Sequence, residues 1–165
     1  MPSRCIKPAV MLFAAACLAA PLLGTAEAGG AGPEPQPVRY QAPVPGPVVD
    51  PFRPPATPYG PGNRGLDYRT TPGEPVRAAG PGVVIFAGPV AGRLAVVVLH
   101  ADNLRTSYVG VSKIDVRTGQ SVEGGQPVAA ATDRLQFGVR AGTAYLDPAV
   151  LLDGGPSVVR LVPDR

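Results

Sequence analysis

The apolar residues of this chain fall into short β-branched runs, Val83-Val84-Ile85-Phe86 and Leu94 to Leu99, each closed off by turn residues. After residue 47 they never recur at 3.6-residue spacing over a length that would make a substantial helix. This pattern commits the body to an all-β fold. The second run is apolar at every position, which predicts a strand covered on both faces. Ala101-Asp102-Asn103 separates it from Leu104 to Val109, so the two segments form a hairpin that turns at the polar residues. Thr118 to Val122 and Gly124 to Val128 read as a second, turn-rich corner. Leu135, Phe137 and Val139 alternate with Gln136, Gly138 and Arg140, giving a strand with one apolar face. Asp147 to Leu152 has room for one short helical turn. The core is expected to hold Val84, Phe86, Val96, Val98, Leu99, Phe137 and Val139.

The first residues are set aside from this reading. Arg4 and Lys7 precede an apolar run, Ala9 to Leu23, that ends in Ala26-Glu27-Ala28, the layout of a secretory signal peptide cut after Ala28. The run is shorter than the roughly 20 apolar residues of a spanning helix, so no membrane span is expected in the mature chain. Both cysteines, Cys5 and Cys17, lie in the segment removed, which leaves no disulfide and no thiolate ligand for an oxidising compartment. Ala14-Ala15-Ala16 is a poor lipidation signal ahead of Cys17. From residue 29 to 47 the chain is rich in Pro, Gly and Ala and reads as a flexible, partly extended tether, with the folded domain at 48–165. Without Arg4, Lys7 and Glu27, the 15 basic and 12 acidic residues fall to 13 and 11, scattered along the chain. That distribution excludes the basic stripe of a nucleic-acid binder.

An ordered series of motifs carries a resemblance. Gly60-Pro61-Gly62-Asn63-Arg64-Gly65-Leu66-Asp67-Tyr68, Pro72 to Ala79, Gly82-Val83-Val84 and Val96 to His100 are followed by Leu104 to Tyr108, Gly124 to Val128, Phe137 to Arg140 and Tyr145-Leu146-Asp147-Pro148. Together they resemble the LytM-type (M23) zinc peptidases over roughly 105 residues, far more than one short motif could show. The resemblance implies a compact β-sandwich or barrel-like core of the duplicated-hybrid-motif kind. It also implies a groove in which a His and an Asp of one loop, with the last His of a His-x-His strand, hold zinc against peptidoglycan peptide. A further His, in a Tyr-x-His-Leu motif, and the first His of the strand pair assist there.

Position by position, those histidines are missing here. The first falls on Asn63, and the carboxylate partner is retained as Asp67. The Tyr-x-His-Leu motif becomes Tyr108-Val109-Gly110-Val111, placing Gly110 at the histidine. The strand pair becomes Arg134-Leu135-Gln136. The Gly-rich loop that precedes this pair in the family looks cut down to Ala129–Asp133. Catalytic zinc needs about three imidazole or carboxylate ligands, amides serve it poorly, and a guanidinium brings a fixed positive charge to the cation's place. The resemblance therefore implies a degenerate member without zinc, whose vestigial groove comprises Asn63, Asp67, Tyr108, Gly110, Arg134 and Gln136. A salt bridge from Arg134 to Asp67 would take over the metal's linking role.

His100 is the sole histidine, expected partly exposed at a strand end. Ser107, Ser112, Ser121 and Ser157 lack a catalytic motif, and the glycines between 60 and 65 fit neither a Walker nor a dinucleotide pattern. The reading is an exported, non-catalytic domain that binds peptidoglycan or regulates a cell-wall hydrolase. The alternative is a zinc metalloendopeptidase acting on peptidoglycan cross-links, with Asp67, His100 and water around the metal.

Overall fold

The structure is a computed structural model that describes residues 37–57 and 60–152. The expected signal peptide, its cleavage site, the start of the tether and residues 153–165 lie outside the described residues. Among the described residues nine strands and one helix follow in order: β1 Val48–Asp50, β2 Leu66–Arg69, β3 Pro75–Arg77, β4 Gly82–Val90, β5 Arg93–Leu99, β6 Leu104–Ile114, β7 Ser121–Val122, β8 Pro127–Ala141, β9 Ala144–Leu146 and α1 Pro148–Leu152. All pairings are antiparallel, in the order β1-β2-β8-β6-β5-β4-β7. The all-β body expected from the short β-branched runs is present, and the helical turn lies where Asp147 accepts the Ala149 N–H at 2.9 Å.

Strand β8 organises the sheet. One edge pairs with β6 along most of its length, and the other edge is shared end to end by β3, β2 and β9. The Ala129–Asp133 segment, read from sequence as a shortened loop, is instead continuous strand, because Ala129 and Ala130 bond to β3 on one side and β6 on the other. The β5–β6 hairpin turns as expected, with Asp102 accepting the Leu104 N–H at 3.1 Å and Asn103 at φ 63°. The β4–β5 hairpin closes through Ala91 and Gly92, both at positive φ, the geometry that matches strand twist.

Alternation along the central strands divides the sheet into two faces. Leu66 and Tyr68 of β2, Leu135, Phe137 and Val139 of β8, Thr106 and Tyr108 of β6, and Val96 and Val98 of β5 point into the core and are buried. Five expected core residues sit there, Val84, Val96, Val98, Phe137 and Val139, but Phe86 and Leu99 are only half-buried. The register shift between Val84 and Phe86 is the cause at Phe86: a bulge breaks the two-residue period and turns its ring to the opposite face beside Val97. Strand β5 is therefore not evenly covered, since Val97 on that second face is half-buried in a cleft.

The N-terminal boundary also needs correction. Val38, Tyr40, Pro43 and Val44, read as tether, are buried in the core, and Gln41 donates its N–H to the Ala79 carbonyl at 2.9 Å. The expectation underweighted two valines and a tyrosine spaced among prolines, enough apolar surface to dock a segment whose backbone proline already restricts. From residue 38 this part of the chain is packed rather than loose.

Candidate functional site

The second face of the sheet carries the positions singled out in the sequence. In register, Asp67 of β2 lies opposite Gln136 of β8, which lies opposite Val109 of β6, which lies opposite Ala95 of β5. Asp67, Arg134 and Gln136 thus share one face, and β1 brings Asp50 opposite Asp67. The Arg134 guanidinium donates to Asp67 Oδ2 from Nε at 3.0 Å and from Nη2 at 2.5 Å, the two-donor fork that arginine offers and lysine does not. Its Nη2 is also 3.7 Å from Asp50, whose carboxylate binds Arg53 at 2.9 Å. Two carboxylates and two guanidiniums alternate in one chain of charge. The ion pair expected between Arg134 and Asp67 is present, extended by Asp50 and Arg53. Those two gave no signal in the sequence, because a three-residue strand is too short to show alternation.

Beside this network the amides of Asn63 and Gln136 bond to each other, Gln136 Nε2 to Asn63 Oδ1 at 3.2 Å. Asn63 is buried, and its side chain also accepts the Gly65 N–H and donates to the Asp50 carbonyl, each at 3.2 Å. Its backbone pairs with Arg53 in both directions at 2.9 Å, which fixes the loop entering β2. Both amides are committed to holding loop to sheet. Asp67 Oδ1 is buried without a hydrogen-bond partner among the described residues.

Gly110 lies beside this group and can present no side chain. It sits at φ +90° in the β6 bulge, and a Cβ there would stand 2.7 Å from the Arg134 carbonyl and 2.6 Å from the Arg93 guanidinium. Thr132 Oγ1 donates to the Gly110 carbonyl at 2.8 Å, pinning the bulge to β8. Tyr108 is not in the groove. It follows the core-facing alternation, packs against Phe137 at 5.5 Å between ring centroids, and accepts the Ala79 N–H at 2.7 Å. Burial pushes its hydroxyl up to about 12. Of the six positions, Asn63, Asp67, Arg134 and Gln136 come together, Gly110 is adjacent, and Tyr108 belongs to the core.

His100, expected to be partly exposed, is 3% exposed. A carbonyl can only accept, so Nδ1 carries the proton donated to Pro81 O at 2.8 Å, and Nε2 accepts from Thr106 Oγ1 at 2.8 Å. Tyr108 Oη in turn donates to Thr106 Oγ1 at 3.1 Å, completing a chain from the Ala79 N–H to the Pro81 carbonyl. Burial lowers the imidazole's proton affinity below its ordinary value, against the weaker opposing pull of the Pro81 bond and the Asp102 charge. Tyr40 stands edge-on to the ring at 5.0 Å and donates to both Asp102 oxygens at 2.9 Å; burial, then this carboxylate, raises its hydroxyl pKa. Because Thr106 is core-facing, His100 and Asp67 lie on opposite faces of the sheet and cannot share a metal. Among the described residues no three of His, Cys, Asp and Glu come together as metal ligands would.

From Gln136 a cleft of about 520 Å³ runs across this second face. Ala95, Val97, Val109, Ser107 and Gly138 form its floor, Ile85, Phe86 and Val90 one wall, and Arg64, Arg105, Arg140 and Tyr145 the end away from Asp67. This end was not singled out in the sequence.

Residues 61–148 match the model of peptidase family M23. The chain belongs to this family. It is 41% identical over 118 residues to an uncharacterized protein of Mycobacterium tuberculosis, covering 64% of this chain and 46% of that protein. The uncharacterized lipoprotein YgeR of Escherichia coli is 34% identical over 96 residues, covering 53% of this chain and 38% of its own length. A zinc containing peptidase from Vibrio cholerae superposes with a TM-score of 0.58 at 30% identity, covering 66% of this chain and 39% of that one. This chain thus spans less than half the length of each of these relatives. Among the described residues no helix is long and apolar enough to cross a membrane.

Proposed function

We propose that this M23 domain is non-catalytic and acts at the cell envelope by holding peptidoglycan peptide in the cleft instead of cutting it. The observation that supports this reading is the Arg134 guanidinium seated on Asp67. Zinc does not fit this donor set. The single carboxylate of the retained motif is already bound by a fixed cation, the Asn63 and Gln136 amides are bonded to each other, Gly110 has no side chain, and His100 faces the core. A water held here would have no metal to lower its pKa and no imidazole to take its proton. The ion pair supplies a link of the kind the metal supplies in the family: it joins β2 to β8, with the Gln136–Asn63 bond tying in the loop before β2, and leaves the cleft shaped for an extended peptide. Envelope location accords with the lipoprotein named among the relatives.

Three measurements on the purified mature chain test the reading: metal content, digestion of peptidoglycan with and without a chelator, and co-sedimentation with insoluble peptidoglycan. The expected outcome is no stoichiometric zinc, no digestion and co-sedimentation. Digestion that a chelator abolishes would overturn it. Failure to sediment, together with stimulation of a purified wall hydrolase, would shift the function to regulation.

A further inference from the structure

We infer that the far end of the cleft is a carboxylate-recognition site for an acidic peptide, built from Arg105, Arg140 and Arg64 around Tyr145. This rests on the peptide-holding function proposed above and specifies the ligand's chemistry. Arg105 of β6 lies directly opposite Arg140 of β8, which lies directly opposite Tyr145 of β9, so the three form one row across the sheet on the cleft face. Like charges facing each other across a strand pair repel, and side chains are placed so at a cost unless an anion joins them. Among the described residues no such anion is at hand, since no Asp or Glu lines the cleft.

The guanidiniums are also held in place. Arg140 stacks over the Tyr145 ring at 4.7 Å and gives Nη2 to the Thr143 carbonyl at 3.3 Å, while its Nε is buried with no acceptor. Arg64 approaches the same ring at 5.7 Å and is braced on the Gly60 carbonyl at 3.3 Å. Arg105 is exposed at the mouth of the site. A carboxylate set between Arg105 and Arg140 would accept bonds from both guanidiniums and cancel the repulsion. The neighbouring floor is apolar at Ala95, Val97 and Val109. That combination suits a peptide with small side chains followed by a carboxylate, better than a phosphate polymer, which has nothing to place on the apolar floor.

The test uses two synthetic peptides titrated onto the mature chain by calorimetry: acetyl-Ala-Ala-Glu-Ala with a free C-terminus, and the neutral twin with Gln for Glu and an amidated C-terminus. Inorganic phosphate serves as a third probe. The acidic peptide should bind about tenfold or more tightly than its twin, as charge-assisted bonds require. Arg105→Gln should remove most of that difference and leave the neutral peptide's affinity unchanged. Arg105→Lys should restore only part, lacking the fork. Arg117→Gln, an exposed arginine in the turn before β7, should leave both affinities unchanged. The melting temperature of Arg105→Gln without ligand should equal or exceed wild type, because a repulsion is removed; this separates loss of binding from loss of fold. Equal affinity for the two peptides overturns the carboxylate site while leaving the peptide cleft standing. Phosphate binding as tight as the acidic peptide overturns it in favour of a phosphate ligand. If neither peptide binds but insoluble peptidoglycan still sediments the protein, the carboxylate site falls and the proposed function stands. If peptidoglycan fails as well, both fall.

Discussion

Removing Arg134 should cost much more than removing its partner. The pair is unevenly exposed: the Asp67 side chain keeps 12% of its surface in contact with solvent, the Arg134 side chain 51%. In Arg134→Gln the Asp67 carboxylate stays mostly buried on β2, where Oδ1 has no partner among the described residues, and loses both donors to Oδ2. Breaking a fully buried pair costs about 3 to 5 kcal/mol, whereas exposed pairs are worth about 0.2 to 1 kcal/mol. A half-exposed guanidinium on a mostly buried carboxylate falls between these limits, so the expected loss is about 1 to 3 kcal/mol. In Asp67→Asn the guanidinium turns to water or to Asp50, already 3.7 Å away, and the expected loss is about 0.5 to 1 kcal/mol. Urea unfolding of wild type, both single variants and the double variant closes a double-mutant cycle. With a slope of roughly 1 to 1.5 kcal/mol/M, Arg134→Gln should lower the midpoint by about 0.7 to 3 M. A loss within about 0.5 kcal/mol of zero for Arg134→Gln, or a larger loss for Asp67→Asn, would refute the claim that the ion pair takes the metal's place in linking β2 to β8.

Replacing Asn63, Arg134 and Gln136 together with His should create zinc affinity, measured by calorimetry, where wild type has none; equal affinities would mean these positions do not converge. Gly110→His should not add a further ligand but cost about 1 to 3 kcal/mol in urea unfolding, because its φ of +90° and the nearby Arg134 carbonyl both exclude a Cβ. His100 binds protons less readily folded than unfolded, so the unfolded state takes up more protons below about pH 6.5. Stability is then full above that value and falls as pH drops toward the lowered folded value, and melting curves should show that His100→Gln flattens this limb. Ala91→Asn in the β4–β5 turn should raise stability by about 0.5 to 1 kcal/mol in urea, since Asn tolerates the positive φ that strains Ala91.

The strand map was legible because the two-residue period is imposed by the backbone itself: Leu135, Phe137 and Val139 face the core just as their alternation requires. It failed where the period breaks. The bulge between Val84 and Phe86 moves Phe86 to the cleft, and no residue in that stretch announces it. Within the site, Asn63, Asp67, Arg134 and Gln136 could be brought together on paper because the resemblance supplied the pairing of distant segments. Tyr108 was misplaced because residues two apart on a strand ordinarily share a face, whereas the bulge between Val109 and Val111 breaks that period and leaves Tyr108 in the core while Gly110 lies beside the site. The row Arg105, Arg140 and Tyr145 was not legible at all. Three residues on three strands become neighbours only through the long-range β6–β8 register and the Gly142 turn between β8 and β9, and one shifted residue in either would send a side chain to the other face.

Strand β8 has a consequence in time as well as in space. Three of the four strands on its edges, β2, β3 and β6, are made before it, and the contact between Gln136 and Asn63 closes a loop of 73 positions. Until β8 has been synthesised, β2, β3 and β6 have no common neighbour, and the sheet cannot be assembled from local hairpins alone. Closing such long loops places folding in the slower range, milliseconds to seconds, of small domains. Through that interval the β5–β6 hairpin presents an open apolar edge to any other strand it meets.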